Sequence, residues 1–129
     1  MAKYRNDIQN KILEFTKERD WDKDEYLNVY NMLCNITEET GEVWNLIKWM
    51  KSDEDLKKLI EKNRVEMIDG IGDLIWCIAK LANTLGIDMQ EAVEATHAEY
   101  LERFPTEIVK TRHGNPKLGG YDGKYRSKG

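Results

Sequence analysis

Proline is scarce in this chain, and both copies come late. Pro105 and Pro116 are the only two prolines among 129 residues, so residues 1–104 contain none of the helix breaks that proline causes. The sequence also lacks any stretch that alternates apolar and polar residues for long enough to form a strand. These absences predict an all-α protein.

Cysteine and histidine are equally rare. Cys34 and Cys77 stand alone in apolar helical contexts, which predicts reduced cysteines in the core. His97 and His113 have no partner at zinc-ligand spacing, and the Glu-x-x-His pairs of di-iron bundles are missing from the acidic stretches. The sequence therefore argues against a disulfide framework, a zinc site and a di-iron site.

Long apolar runs are missing too. No run approaches the ~20 residues of a membrane span, and residues 1–5 lack the apolar segment of a signal peptide. We expect a cytoplasmic protein with no membrane partner. Residues 1–105 hold 14 basic and 22 acidic side chains, a balance of −8, whereas residues 106–129 hold 6 and 2, a balance of +4. The acidic body argues against a nucleic acid partner.

Apolar residues recur at helical spacing in four to five segments, which predicts an antiparallel up-and-down bundle over residues 1–105. The expected helices cover residues 7–19, about 25–50, 53 to about 85 with a kink or turn at Gly70 and Gly72, and 88 to about 103. Ser52 is expected to begin one helix, and Gly86 to follow the end of that long segment. Residues 106–129 are glycine-rich and basic, and are predicted to form an extended tail.

Two acidic stretches lie inside predicted helices. On the first, Glu38 and Glu42 lie about 40° apart around the axis, and Glu39 and Glu42 about 60° apart. On the second, Glu66, Asp69 and Asp73 fall within about 60°. Apolar residues flank both clusters, so the carboxylates need cations or shifted pKa values. A hard divalent cation, Mg²⁺ or Mn²⁺, held by oxygen atoms from both helices would meet that need.

Several motifs follow one another along the chain in a familiar order. They are Glu18-Arg19-Asp20-Trp21, Glu38-Glu39-Thr40-Gly41-Glu42, Gly72-Asp73 followed by apolar residues, and Gly86-Ile87-Asp88. Over about residues 15–105 the chain thereby resembles the all-α MazG-like nucleotide pyrophosphohydrolases, and especially their dCTPase-like branch. The family pattern is EExxE followed by ExxD. The chain departs from it at Gly70, where the glutamate three residues before Asp73 is expected.

The resemblance implies hydrolysis of a nucleoside triphosphate to the monophosphate and pyrophosphate with Mg²⁺. It carries the metal-ligand role to Glu39, Glu42 and Asp73. Asp69, which lies about 40° from Asp73, is expected to replace the missing glutamate, and Glu66 to serve as an outer ligand. A carboxylate not saturated by metal can accept the proton of the attacking water; we favour Glu38, with Glu39 as the alternative.

Substrate contacts are assigned by resemblance and by spacing. Trp21 and Trp49 are expected by resemblance to stack on the base. Lys48 and Lys80 are candidate phosphate contacts or ordinary solvated lysines, and Lys80 stands out because it follows Asp73 by seven residues. The many apolar helical positions and the four tryptophans predict a homodimer or homotetramer. Two alternatives remain open: a phosphoribosyl-ATP pyrophosphohydrolase-like enzyme and a non-catalytic helical oligomerisation module.

Overall fold

The computed structural model describes residues 2–23 and 26–111, without the side chains of residues 26 and 27. This part of the chain contains six helices and no strand. The helices are α1 (Asp7–Lys17), α2 (Tyr26–Asn45), α3 (Asp53–Lys62), α4 (Arg64–Leu85), α5 (Met89–Arg103) and α6 (Thr106–Val109). They confirm the all-α prediction. The chain divides into two compact units, Met1–Met89 and Gln90–Gly129.

Local signals in the sequence set several helix ends. The Ser52 hydroxyl accepts a hydrogen bond from the Asp55 amide at 3.1 Å and caps α3, as predicted. Gly86 has a φ of 66° and ends α4 in the left-handed conformation that glycine adopts without steric cost. These ends follow from a few neighbouring residues, which is why the sequence predicts them.

The other boundaries differ from the predicted ones. Helix α2 ends at Asn45 rather than near residue 50, because the next amides bond three residues back, from Leu46 to Val43 at 3.2 Å and from Ile47 to Trp44 at 3.0 Å. The long third segment breaks at Asn63, where the side chain donates to the Leu59 carbonyl at 2.8 Å.

The kink predicted at Gly70 and Gly72 is therefore wrong, since both glycines lie inside the continuous helix α4. Gly70 is buried there. Its packing against α2 offsets the roughly 1 kcal/mol that glycine costs in a helix.

A buried polar network joins α1 to the end of α4. Gln9 is fully buried, and its Nε2 donates to the Asn83 side chain at 3.0 Å and to the Ile87 carbonyl at 2.8 Å. Its Oε1 accepts from Asn6 and from the Met89 amide, both at 2.6 Å. Every hydrogen-bonding group of this amide has a partner, which makes its burial tolerable.

Helices α2 and α4 pack antiparallel. Val43, late in α2, contacts Gly70, early in α4, while Met32, early in α2, accepts a hydrogen bond from Thr84, late in α4, at 3.7 Å. The contacts thus run in opposite directions along the two helices. This pairing confirms the antiparallel bundle and brings the two acidic stretches to neighbouring helices.

Few large side chains are buried in the described residues. The buried apolar residues are Tyr4, Ile12, Met32, Ala79 and Ala82. The core position predicted for Cys34 is wrong, since this free cysteine is exposed; the free thiol of Cys77 is half-buried. Cys34 follows Met32 by two residues, about 200° around α2, so it points away from the side on which Met32 is buried.

The second unit contains α6 and all of α5 except Met89. Tyr100 and Phe104 pack edge to face with centroids 5.5 Å apart, and the Pro105 carbonyl accepts the first amide bonds of α6. The predicted extended tail thus begins with a short helix, and its residues 112–129 lie outside the described part. In the described ranges, no single helix has the length and apolar character needed to cross a membrane.

Candidate active site

The carboxylates of α2 form a group near the C-terminal half of the helix. Glu39 is half-buried, whereas Glu38 and Glu42 are exposed. A hydrogen bond joins the Glu39 and Glu42 carboxyl groups. Carboxylates brought this close repel one another when both are charged, so a cation beside them would be stabilising.

Electrostatics links α4 to this group. Partial burial raises the pKa of Glu39 above its usual value, and the negative charges of Glu42 and Asp73 raise it further. Glu38 contributes the smallest effect on that pKa. The tertiary structure therefore brings Asp73 within electrostatic reach of Glu39, on the helix that also carries Glu38 and Glu42.

The other two carboxylates of α4 do not contribute to the raised pKa of Glu39. Glu66 and Asp69 are exposed, and neither is among the charges that shift the pKa of Glu39. Asp69 precedes Asp73 by about one turn, and Glu66 precedes it by about two. Their roles as metal ligands stay predictions.

A divalent cation fits the chemistry of this donor set. Glu39, Glu42 and Asp73 are hard oxygen donors from two helices, and a cation between them would relieve the repulsion that raises the pKa of Glu39. Across residues 2–23 and 26–111, no three acidic, histidine or cysteine side chains already have the arrangement of a metal-binding set. The fit thus rests on donor chemistry and charge.

A cavity of about 340 Å³ lies beside the N-terminal half of α2. Its lining consists of Asp20, Trp21, Lys23, Asn28, Asn31, Met32, Asn35 and Lys80. We call it the asparagine pocket, because Asn28, Asn31 and Asn35 recur at intervals of three and four residues and therefore share one face of α2. Asn35 precedes Glu39 by one turn, so the pocket and the carboxylates follow one another along that face, about 6 Å apart along the axis.

Aromatic contacts hold one wall of the asparagine pocket. Phe15 packs edge to face against Trp21, with centroids 6.2 Å apart, and against Trp76 at 5.1 Å. The Arg19 guanidinium lies 3.7 Å from the Phe15 ring centroid. Trp21 nevertheless remains 59% exposed, so its ring has free surface for a ligand.

Lys80 belongs to both parts of the site. It lines the asparagine pocket, and it follows Asp73 by two turns on α4. Burial raises the pKa of the Cys77 thiol, the charges of Glu39 and Asp73 raise it further, and Lys80 lowers it. The charges of Glu39, Asp73 and Lys80 therefore all act on the Cys77 thiol, which lies within electrostatic reach of each of them.

The other two predicted substrate contacts lie beyond the end of α2. The Lys48 ammonium sits over the Trp44 ring at 5.6 Å and over the Trp49 ring at 5.1 Å. Trp49 is 79% exposed, and neither Lys48 nor Trp49 lines the asparagine pocket. The structure thus groups Trp21 and Lys80 but not these two residues.

Sequence reasoning missed the three asparagines. The sequence feature that could have indicated them is their spacing of three and four residues, which Glu38 and Glu42 continue along the helix. It places polar residues on a single face for four turns of α2. Asparagine also suits helix ends and turns, so its presence alone does not suggest a binding pocket.

The fold and the site together define an all-α protein with an acidic centre between antiparallel helices and a polar pocket beside it. The family comparison agrees: the chain belongs to the MazG nucleotide pyrophosphohydrolase family, whose domain model matches residues 28–107. The match includes both acidic stretches, the three asparagines and Lys80, while Trp21 precedes it. No similar curated protein and no similar solved structure was found.

Proposed function

We propose that the protein is a Mg²⁺-dependent nucleotide pyrophosphohydrolase that converts a nucleoside triphosphate to the monophosphate and pyrophosphate. The observation that carries the proposal is the continuous polar face of α2. Its first half lines a cavity of about 340 Å³, and its second half bears three carboxylates, of which Glu39 is electrostatically coupled to Asp73. A nucleotide likewise has a polar base at one end and a polyphosphate that binds cations at the other.

The side-chain chemistry of the site supports this orientation. The base occupies the asparagine pocket, where side-chain amides both donate and accept hydrogen bonds and therefore match the edge of a base. The exposed face of Trp21 stacks on the base. The phosphates extend along α2 toward Glu39, with the Lys80 ammonium alongside them.

Glu39, Glu42 and Asp73 hold Mg²⁺, or Mn²⁺ in its place, with Asp69 and Glu66 as further ligands on α4. A cation held there would supply charge that neutralises the phosphates and stabilises the leaving pyrophosphate. Glu38 accepts the proton of the attacking water, because it is exposed and has the weakest coupling to Glu39. Glu39 is the alternative base.

The function is tested by incubating the full chain with Mg²⁺ and each common ribo- and deoxyribonucleoside triphosphate, and measuring pyrophosphate and monophosphate. At least one triphosphate should yield both products in equal amounts. Glu39→Gln keeps the size of the side chain but removes its charge, and serves as the inactive control. Phosphoribosyl-ATP belongs in the same panel, because hydrolysis of that compound alone would favour the alternative enzyme. Absence of product from every compound would favour the non-catalytic module.

We also propose that the active form is a homodimer or homotetramer. Ile68, Ile71, Ile75 and Ile78 form a row on α4 with spacings of three and four residues, and they remain 39–61% exposed. Such spacing is typical of a helix that pairs with another helix. A second copy of the chain would cover this row, which we call the isoleucine row.

Light scattering at micromolar concentration should therefore report two or four times the 15.1 kDa of one chain. Ile71→Glu should lower this mass, since a charge in the isoleucine row opposes burial. Val93→Glu is the control, because Val93 is a 63% exposed apolar residue on α5 and so lies outside that row. A wild-type mass of one chain would contradict the proposed assembly.

A further inference from the structure

Gly70 lies where α4 meets α2. It is buried, and a methyl group added to its Cα would overlap the Cγ2 atom of Val43. Valine in a helix strongly prefers one side-chain rotamer, so the Val43 methyl group cannot easily turn away. A side chain at position 70 would therefore have to push the two helices apart.

This contact is adjacent to the carboxylates on both helices. Val43 follows Glu39 by one turn and comes directly after Glu42, while Gly70 precedes Asp73 by about one turn. The Val43–Gly70 contact thus fixes how closely α2 and α4 approach one turn away from the Glu39–Asp73 pair.

We propose that Gly70 and Val43 are a size-matched pair of positioning residues that set the distance between the α2 carboxylates and Asp73. The inference rests on the proposed function for its catalytic consequence. It also gives a physical reason for the departure from the ExxD pattern. A glutamate at position 70 would begin with the same Cβ that overlaps Val43, so this chain keeps a glycine there.

The test uses the full chain and compares Gly70→Ala with Gly72→Ala. Both substitutions favour the helix by removing a glycine from the interior of α4. The two substitutions differ in the room available to the added methyl group, because a Cβ at position 72 meets nothing within 4 Å. Gly70→Ala should raise the Mg²⁺ concentration needed for half of the Mg²⁺-induced rise in melting temperature by at least ~10-fold, the range found when residues that orient metal ligands are changed. Gly72→Ala should leave that concentration unchanged.

A second substitution makes the test independent of simple destabilisation. Val43→Ala removes the methyl groups that a Cβ at position 70 would meet, so Val43→Ala/Gly70→Ala should recover most of the Mg²⁺ affinity lost by Gly70→Ala alone. Catalytic turnover should follow the same order if the proposed function holds. Should Gly70→Ala fail to fold, the double variant still has to fold and bind Mg²⁺.

The outcomes separate the two proposals. Wild-type Mg²⁺ affinity in Gly70→Ala, or no recovery in the double variant, would overturn the positioning role whatever the activity. A wild-type chain that binds Mg²⁺ but hydrolyses no triphosphate would contradict only the proposed function. A wild-type chain whose melting temperature does not change with Mg²⁺ would contradict both the positioning role and the proposed function.

Discussion

Asp73→Ala is expected to lower the rate of pyrophosphate release at least ~100-fold while leaving the helix content unchanged, because it removes the carboxylate of α4 that acts on Glu39. Alanine is the better helix former, so the fold has no reason to weaken at this exposed position. Asp73→Asn should also remove most of the rise in melting temperature that millimolar Mg²⁺ gives the wild type. Product assays and thermal unfolding with and without Mg²⁺ measure these effects.

The other two carboxylates of α4, Asp69 and Glu66, provide the comparison with Asp73. Asp69→Ala should cost on the order of 100-fold if Asp69 replaces the missing glutamate as a metal ligand, and no more than Asp73→Ala. Glu66→Ala should cost less, about 10- to 100-fold, since an outer carboxylate orients ligands rather than holding the cation. Near-wild-type activity in Asp73→Ala together with an inactive Glu66→Ala would show that Glu66 and Asp69 form the true motif.

Lys80→Ala is expected to raise KM for the triphosphate about 10- to 100-fold, because a hydrogen bond between charged groups contributes roughly 1.5–3 kcal/mol. Lys80 lines the asparagine pocket and lowers the pKa of Cys77 against the opposing charges of Glu39 and Asp73. In the proposed orientation of the nucleotide, it is the lysine that the phosphates would meet. Steady-state kinetics at saturating Mg²⁺ gives KM and kcat separately.

Lys48→Ala provides the comparison, because Lys48 was an equally good candidate from the sequence. Its ammonium lies against the Trp44 and Trp49 rings, at 5.6 Å and 5.1 Å from their centroids. We expect KM to change less than about threefold, as for a surface cation with little binding role. A larger rise in KM for Lys48→Ala than for Lys80→Ala would place the phosphates at the other end of the acidic cluster.

The helices illustrate which structural features are local. Ser52 caps α3 with its own hydroxyl, and Gly86 ends α4 with its own backbone conformation. Both ends could be predicted because the interacting groups are only a few residues apart. The break between α3 and α4 was placed at Gly70 and Gly72 but occurs at Asn63. Glycine weakens a helix by only about 1 kcal/mol, and packing against a second helix overrides so small a preference.

Unlike the helix ends, the candidate site depends on contacts between residues that are far apart in sequence. Helical periodicity was enough to put Glu39 and Glu42 on one face, and Asp73 on a second helix. It could not show that Lys80, unlike Lys48, lines the same cavity as Asn28, Asn31 and Asn35. Those distinctions depend on which helix lies opposite, and periodicity within one helix does not contain that information.

By itself, the sequence determined an all-α chain with two carboxylate-bearing helices and the motifs of a nucleotide pyrophosphohydrolase. Spacing, capping and the absence of early proline act within single helices, so they can be read along the chain. Only the tertiary structure decided which residues of α2 and α4 meet, with Val43 against Gly70. That contact joins residues 27 positions apart in sequence, and it depends on the fit of one methyl group against a bare backbone.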